Sequence, residues 1–237
     1  MKRIYLIVFL LLLLYGCGEK NTKVEQPNSD KDIHNSDKDI QDSKYIDEIQ
    51  YSYNWTFDHE IRIGGQLWMT ENRDVEHYRN GDPIPQVKDS TEWSNLTTGA
   101  WCYYNNDPEN EKYGKLYNWY AVTDSRGLAP EGWHIPTKED FELLIWYVGN
   151  DGYAMLESGS GKNGRGTNRS GFSALLAGCS FGGWCCYLHE VTYFWSSTVN
   201  SKGRVYCLGL FYGDSVIDLS AAWNKNDGFS VRCVKDD

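Results

Sequence analysis

Six cysteines, at positions 102, 179, 185, 186, 207 and 233, carry the readiest chemistry in the body of this chain, and a seventh stands near its start at 17. Thiols in such numbers oxidise to disulfides or bind soft metals, and the compartment decides between them. Cys185-Cys186 admits a strained vicinal disulfide or a soft-metal pair. The alternative joins each thiol to a distant cysteine such as Cys179 or Cys207, and in an exported chain the distant pairing is favoured. Spacing alone selects no connectivity. The histidines, at 34, 59, 77, 134 and 189, show neither i, i+4 spacing nor a neighbouring ligand motif, so no zinc site is expected and His134 is read as packing beside Trp133. Asn105-Asn106-Asp107-Pro108-Glu109-Asn110-Glu111 offers the hard oxygens that calcium takes, but without EF-hand spacing it reads as a solvated acidic loop. Gly159-Ser160-Gly161-Lys162 lacks P-loop spacing, and no Ser/His/Asp order or paired-carboxylate motif is present. The expectation is a domain without catalysis, metal or cofactor. Its other surplus is aromatic: ten Trp and seventeen Tyr, mainly after residue 50. Trp101, Tyr103, Tyr104, Trp184 and Trp223 fall in or near expected loops and are candidates for stacking on a ligand, against the alternative that each packs in the core.

The elements that must position these groups begin with an address. Lys2 and Arg3 precede an apolar run from Ile4 to Leu14, which is signal-peptide anatomy. As a helix that run would rise about 16 Å, roughly half a bilayer's hydrocarbon core. Leu14-Tyr15-Gly16-Cys17 resembles a lipobox, with Tyr15 departing from the small residue usual there; the alternative is a plain signal peptide with a cysteine nearby. A lipidated Cys17 would anchor the chain to a membrane, since two or more acyl chains hold where one does not. The expected divisions are a signal peptide over residues 1–16, a disordered polar tether over 17–50, and a folded domain over 51–237. The tether carries a tandem repeat, Asn28-Ser29-Asp30-Lys31-Asp32-Ile33 and Asn35-Ser36-Asp37-Lys38-Asp39-Ile40, with too little apolar surface to fold or to make a coiled-coil seam. A formal net charge of −10 without clustered Lys or Arg sets nucleic acid aside as a partner.

Beyond residue 56, short apolar and aromatic runs broken by Gly, Asn and Asp predict strands at Glu60–Gly64, Leu67–Glu71, Ala100–Tyr104, Phe194–Thr198, Arg204–Phe211, Ser215–Leu219 and Phe229–Lys235. Tyr212-Gly213-Asp214 predicts a hairpin turn. A helix is specified from Pro136 and Thr137 to Gly149, with Asp140 completing a capping box and Phe141, Leu144, Ile145 and Val148 forming an apolar stripe. A second, shorter helix is predicted over Leu116–Val122. Two helices among many short strands give an α+β domain.

Six blocks, in order, are similar to the Fibrobacter succinogenes major paralogous domain: Ile63-Gly64-Gly65-Gln66-Leu67-Trp68-Met69-Thr70-Glu71-Asn72, Tyr113-Gly114-Lys115-Leu116-Tyr117-Asn118-Trp119-Tyr120-Ala121-Val122, Gly127-Leu128-Ala129-Pro130-Glu131-Gly132-Trp133-His134-Ile135-Pro136-Thr137, Gly171-Phe172-Ser173-Ala174-Leu175, Trp195-Ser196-Ser197-Thr198 and Gly228-Phe229-Ser230-Val231-Arg232-Cys233-Val234. That family is common in envelope lipoproteins, so the resemblance implies an outer-membrane location, facing the periplasm or the surface. More distantly, Trp133-His134-Ile135-Pro136-Thr137-Lys138-Glu139-Asp140-Phe141 resembles the "RLPTEAEW" helix start of formylglycine-generating enzymes, and Gly228-Phe229-Ser230-Val231-Arg232 their "GFR" strand. This implies a C-type-lectin-like fold. The oxidase activity is not implied, because Ser215 to Asp227 contains no cysteine where those enzymes carry a pair.

Cys102 and Cys233 lie within family-like motifs, Ala100-Trp101-Cys102-Tyr103-Tyr104 and Val231-Arg232-Cys233-Val234, and the resemblance implies a Cys102–Cys233 disulfide with Cys207 joined to the 179–186 group; the alternative is two buried thiols. The functional expectation is a non-catalytic module recognising a glycan or an envelope protein. Against it stand an altered enzyme of the formylglycine-generating type and a purely structural envelope protein. Cys17→Ser is expected to move the protein from the membrane fraction to the soluble one, and retention of a signal-processed mutant in membranes would sink the anchoring.

Overall fold

Runs of two to ten residues pair locally, and three antiparallel sheets follow from which runs meet. The computed structural model describes residues 56–57 and 59–236. The expected signal peptide and tether, with Cys17, lie outside the described residues. In chain order the strands are β1 (Thr56–Phe57), β2 (Glu60–Ile63), β3 (Gln66–Met69), β4 (Trp101–Cys102), β5 (Leu116–Asn118), β6 (Trp133–His134), β7 (Cys179–Phe181), β8 (Trp184–Cys186), β9 (Val191–Val199), β10 (Val205–Phe211), β11 (Asp214–Trp223), β12 (Gly228–Phe229) and β13 (Val234–Lys235). The α-helices are α1 (Ser90–Ser94), α2 (Trp119–Val122), α3 (Lys138–Tyr147) and α4 (Gly152–Met155). One sheet runs β1-β2-β3-β13-β6, a second β11-β10-β9, and a third β4-β5-β12-β7-β8. The domain is α+β, with strands in the majority.

Helix α3 forms where the sequence predicts it. Thr137 caps it, and Thr137 and Asp140 exchange the two hydrogen bonds of a capping box. Phe141 and Leu144 point inward with no exposure, and the Phe141 ring stacks on Trp68 at 5.7 Å. Burying two such side chains is worth roughly 3–6 kcal/mol before the entropy of ordering them. Phe172, Phe194, Leu208 and Leu210 complete this core.

Three expectations need correction. Leu116–Asn118 is a strand, and only Trp119–Val122 is helical. Asn118 makes the switch: its side-chain oxygen accepts from Ala121 N at 3.0 Å as an N-cap and from Ala100 N at 3.1 Å across the strand pair. The strand expected at Phe229–Lys235 is two strands, β12 in one sheet and β13 in another, with Ser230 to Cys233 crossing between them fully buried. Ala100–Tyr104 is strand only at Trp101–Cys102, because Tyr104 opens a 3-10 turn in which Asn105 takes φ 53°. The sheet pairing of β6 and the β7–β8 hairpin were not anticipated.

Arg232 sits on that buried crossing with no exposed surface. Its guanidinium lies between the Phe172 ring, 4.4 Å away, and the Phe194 ring, 5.2 Å away. It donates to Phe172 O, to Asn72 Oδ1 at 2.8 Å and to Ser173 O at 3.5 Å. Burial pulls its pKa down to about 9, so it stays cationic at neutral pH. Arg232→Lys keeps the charge but cannot span three acceptors with one ammonium, and should cost roughly 2–4 kcal/mol. A urea midpoint unchanged within error would remove Arg232 from this role.

Candidate functional site

Four segments distant in sequence meet at one groove. The β2–β3 turn supplies Arg62, Gly65, Gln66 and Leu67; β6 supplies His134; the first turn of α3 supplies Asp140 and its outer face Leu143; the C-terminal strand supplies Val234, Lys235 and Asp236. The groove holds about 380 Å³, within the range of small-molecule sites. Antiparallel pairing explains the convergence, since Val234 lies opposite both Trp68 and His134.

His134 stands between two carboxylates. Its Nδ1 is 2.7 Å from Asp236 Oδ1 and its Nε2 is 3.2 Å from Asp140 Oδ2. The ring is 39% exposed, so it is a groove residue rather than the packed histidine expected from its neighbour Trp133. Asp140 is also fixed from behind: Thr137 N–H donates to Oδ2 at 2.8 Å, Thr137 Oγ1 donates to it at 2.6 Å, and Gln66 Nε2 donates to Oδ1 at 3.0 Å. Gln66 is itself held by Trp68, whose Nε1 donates to Oε1 at 3.3 Å. Burial works to raise the Asp140 pKa, but the Thr137 and His134 hydrogen bonds outweigh it and the net shift is downward.

The outer face of α3 borders the groove with Leu143, Trp146 and Tyr147, all exposed, Trp146 to 71%. The Trp146 and Tyr147 rings meet edge to face at 4.7 Å. Tyr147 lies over Gly64, where φ is 59° and a Cβ would strike the tyrosine ring.

The five aromatic candidates read from the sequence separate. Trp101 and Tyr103 are buried and do not reach a surface; this corrects their assignment as ligand contacts. Their rings instead lie against the buried Lys115, whose ammonium is 4.5 Å from the Trp101 centroid and 4.9 Å from the Tyr103 centroid. Burial opposes that charge, but hydrogen bonds to Asp74 and Tyr103 Oη more than restore it, and the lysine pKa is raised. The aromatic pair is occupied by a cation of its own chain. Tyr104 is half-buried over Gly178, and Trp223 stacks on Phe181 at 5.6 Å with 8° between the rings. Only Trp184 of the five is open, at 73%, on the β7–β8 hairpin. None of the five lines the groove. The amides of the acidic loop turn inward: Asn106 donates to Lys88 O and Asn110 to Tyr104 O. Among the described residues, no group of three or more His, Cys, Asp or Glu side chains is placed to hold a metal.

The structure does not join Cys102 to Cys233, and all six cysteines from 102 onward are free thiols. Strand alternation is the reason: Trp101 faces the large core that contains Cys233, so the next residue, Cys102, faces away, into the cluster of Trp93 and Leu116. Nor does Cys207 meet the 179–186 group. It is enclosed in β10, while the Cys179 thiol lies 3.4 Å from that of Cys186.

A family model, the Fibrobacter succinogenes major domain, matches residues 61–235 and so covers the buried crossing and all of the groove except Asp236. The chain belongs to this family. No curated protein and no solved structure matches the chain. In this Fibrobacter succinogenes major domain, the groove draws Gly65, Gln66 and Leu67 from the first family-like block, His134 from the third and Val234 from the last. Sequence reading missed Asp140 and Asp236 as partners of His134, and Leu143, Trp146 and Tyr147 as an exposed ridge. The ridge had a signal: three large apolar residues lie off the stripe formed by Phe141, Leu144 and Val148, on the face a surface helix ordinarily keeps polar.

Asp140→Asn should lower stability by about 1 kcal/mol at neutral pH by weakening the capping box. The folded pKa is depressed below the unfolded one, so the carboxylate's contribution is complete above the ordinary Asp range and is lost as pH falls through the lowered value. Thermal melts of the two proteins should therefore converge in acid. A gap that is constant from pH 6 to 2 would contradict this.

Proposed function

We propose that this domain is a non-catalytic glycan-binding module, held at the bacterial cell envelope by a lipidated Cys17 and built on a C-type-lectin-like arrangement of short strands and long loops. The observation that carries the reading is the exposed Trp146–Tyr147 pair beside a groove whose polar groups are fixed in advance. A sugar ring has apolar C–H faces and a rim of hydroxyls. Aromatic faces suit the first, and carboxylates together with amide and imidazole N–H groups suit the second. Gln66, His134, Asp140 and Asp236 supply that second set, with Arg62 and Lys235 at the edge.

A binding rather than catalytic role is supported by how these groups are engaged. Both His134 nitrogens face carboxylates, and Asp140 is tied on both oxygens, to Gln66 through Oδ1 and to Thr137 and His134 through Oδ2. Thr137, the nearest hydroxyl to Asp140 in sequence, is used in the helix cap. The lipid anchor rests on the apolar run and the Cys17 motif alone.

A glycan array probed with the full chain should return a restricted set of envelope glycans. Trp146→Ala should weaken the best of them at least tenfold while leaving the fold intact, because Trp146 is exposed. Trp184→Ala, on the β7–β8 hairpin, should leave binding unchanged. Silence on the array, loss of binding in the Trp184 variant alone, or cleavage of the bound glycan would each overturn the proposal.

A further inference from the structure

Cysteines 185 and 186 occupy consecutive positions on β8 and so point to opposite faces of the sheet. Each finds a thiol there. Cys186 is the cross-strand partner of Cys179 in the β7–β8 hairpin, and their sulfurs are 3.4 Å apart. Directly opposed residues of antiparallel strands have Cα atoms about 4.5–5.5 Å apart, inside the range a disulfide spans. On the other face, Cys185 packs against the cluster of Trp93 and Leu116 to which Cys102 of β4 belongs. The β4 and β8 strands are the two outer strands of one sheet.

We propose that this domain carries a double disulfide clasp, Cys102–Cys185 and Cys179–Cys186, which fastens β8 from both faces, and that Cys207 and Cys233 remain reduced. The alternation that sends neighbouring thiols apart removes the vicinal Cys185–Cys186 bridge. Cys207 and Cys233 are enclosed in the large core, at 1% and 0% exposure, where an oxidant does not reach them. The clasp is a modification site, independent of the glycan reading and of whether residues 1–16 direct export.

The oxidant is a disulfide, small or protein-borne. Cys185 is half-exposed, and its pKa is lowered by the Cys102 thiol beside it, so it is the thiolate that attacks first. Attack breaks the oxidant's S–S bond, forms a mixed disulfide at Cys185 and releases one thiolate. The Cys102 thiol then gives up its proton and attacks the Cys185 sulfur, expelling the second thiolate. Two thiols lose two electrons and two protons, and the oxidant becomes two thiols. Cys186 and Cys179 follow by the same exchange, more slowly, because burial raises both of their pKa values.

The test is a non-reducing peptide map of the folded full chain after exposure to oxidised glutathione, with remaining thiols alkylated after denaturation. The expected result is two crosslinked pairs, 102–185 and 179–186, a mass lower by four hydrogens, and alkyl groups on Cys207 and Cys233. In Cys185→Ser, Cys102 should be alkylated and the 179–186 link should persist. A 185–186 link, a 102–233 link, any bridge to Cys207, or six alkylated thiols at 102, 179, 185, 186, 207 and 233 would overturn the clasp.

Discussion

A single buried cation organises this domain. Among the described residues no carboxylate lies against the Arg232 guanidinium; two backbone carbonyls and one side-chain amide accept from its terminal nitrogens, two aromatic faces flank it, and its Nε has no partner. Each partner comes from a different stretch of chain: Asn72 after β3, Phe172 and Ser173 in the loop before β7, and Phe194 in β9. A buried charge is costly unless most of its donors are engaged, so those stretches are obliged to arrive together. Arg232 also lies where the chain leaves the sheet of β12 for the sheet of β13. The same residue that closes the core therefore fixes the handover between two sheets, and β13 is the strand that forms one wall of the groove.

The groove and the core are coupled through short paths. Trp68 stacks on Phe141 in the core and donates its indole N–H to Gln66, which in turn holds Asp140. Asp140 caps α3 and faces His134. Helix capping, core packing and the polar lining thus share one carboxylate, which leaves Asp140 little freedom to change partner. Lys115 shows the same economy elsewhere. Trp101 and Tyr103 have the composition of a ligand platform, and their π faces are taken by a lysine of the same chain.

What the sequence made legible was local. The capping box of α3, its apolar stripe, the β2–β3 pair and the β10–β11 hairpin are all set by neighbours within ten residues or so, and each appears at or near its expected place. Non-local pairing was not legible. Leu116, Trp119 and Tyr120 have the spacing of a helix face, but β4 and β12 flank Leu116 to Asn118 on either side and hold them extended. Phe229 to Lys235 has the texture of one long strand, but Arg232 must turn into the core midway. The cysteine connectivity failed for a related reason: Cys102 and Cys233 share family-like blocks, whereas the face each presents depends on strand parity, and one residue of register decides it. His134 was expected to pack beside Trp133 and instead opens into the groove, because its two carboxylates come from a helix cap and from the C-terminal strand, a conjunction no linear spacing announces.

The contact between Tyr147 and Gly64 has a consequence for how tightly the ridge could hold anything. A surface tyrosine ordinarily samples several rotamers, and a ligand that immobilises it gives up part of its binding free energy to that loss, about 0.5–1.5 kcal/mol for each such side chain. Here the bare Cα of Gly64 receives the ring, and the Trp146 edge lies against its other neighbour. The side-chain entropy has already been surrendered in folding. Under the proposed glycan reading, Gly64 would act on recognition without touching a ligand: adding a methyl group at that position would displace the ring, and the loss would register as weaker binding through a freer tyrosine rather than through a missing contact.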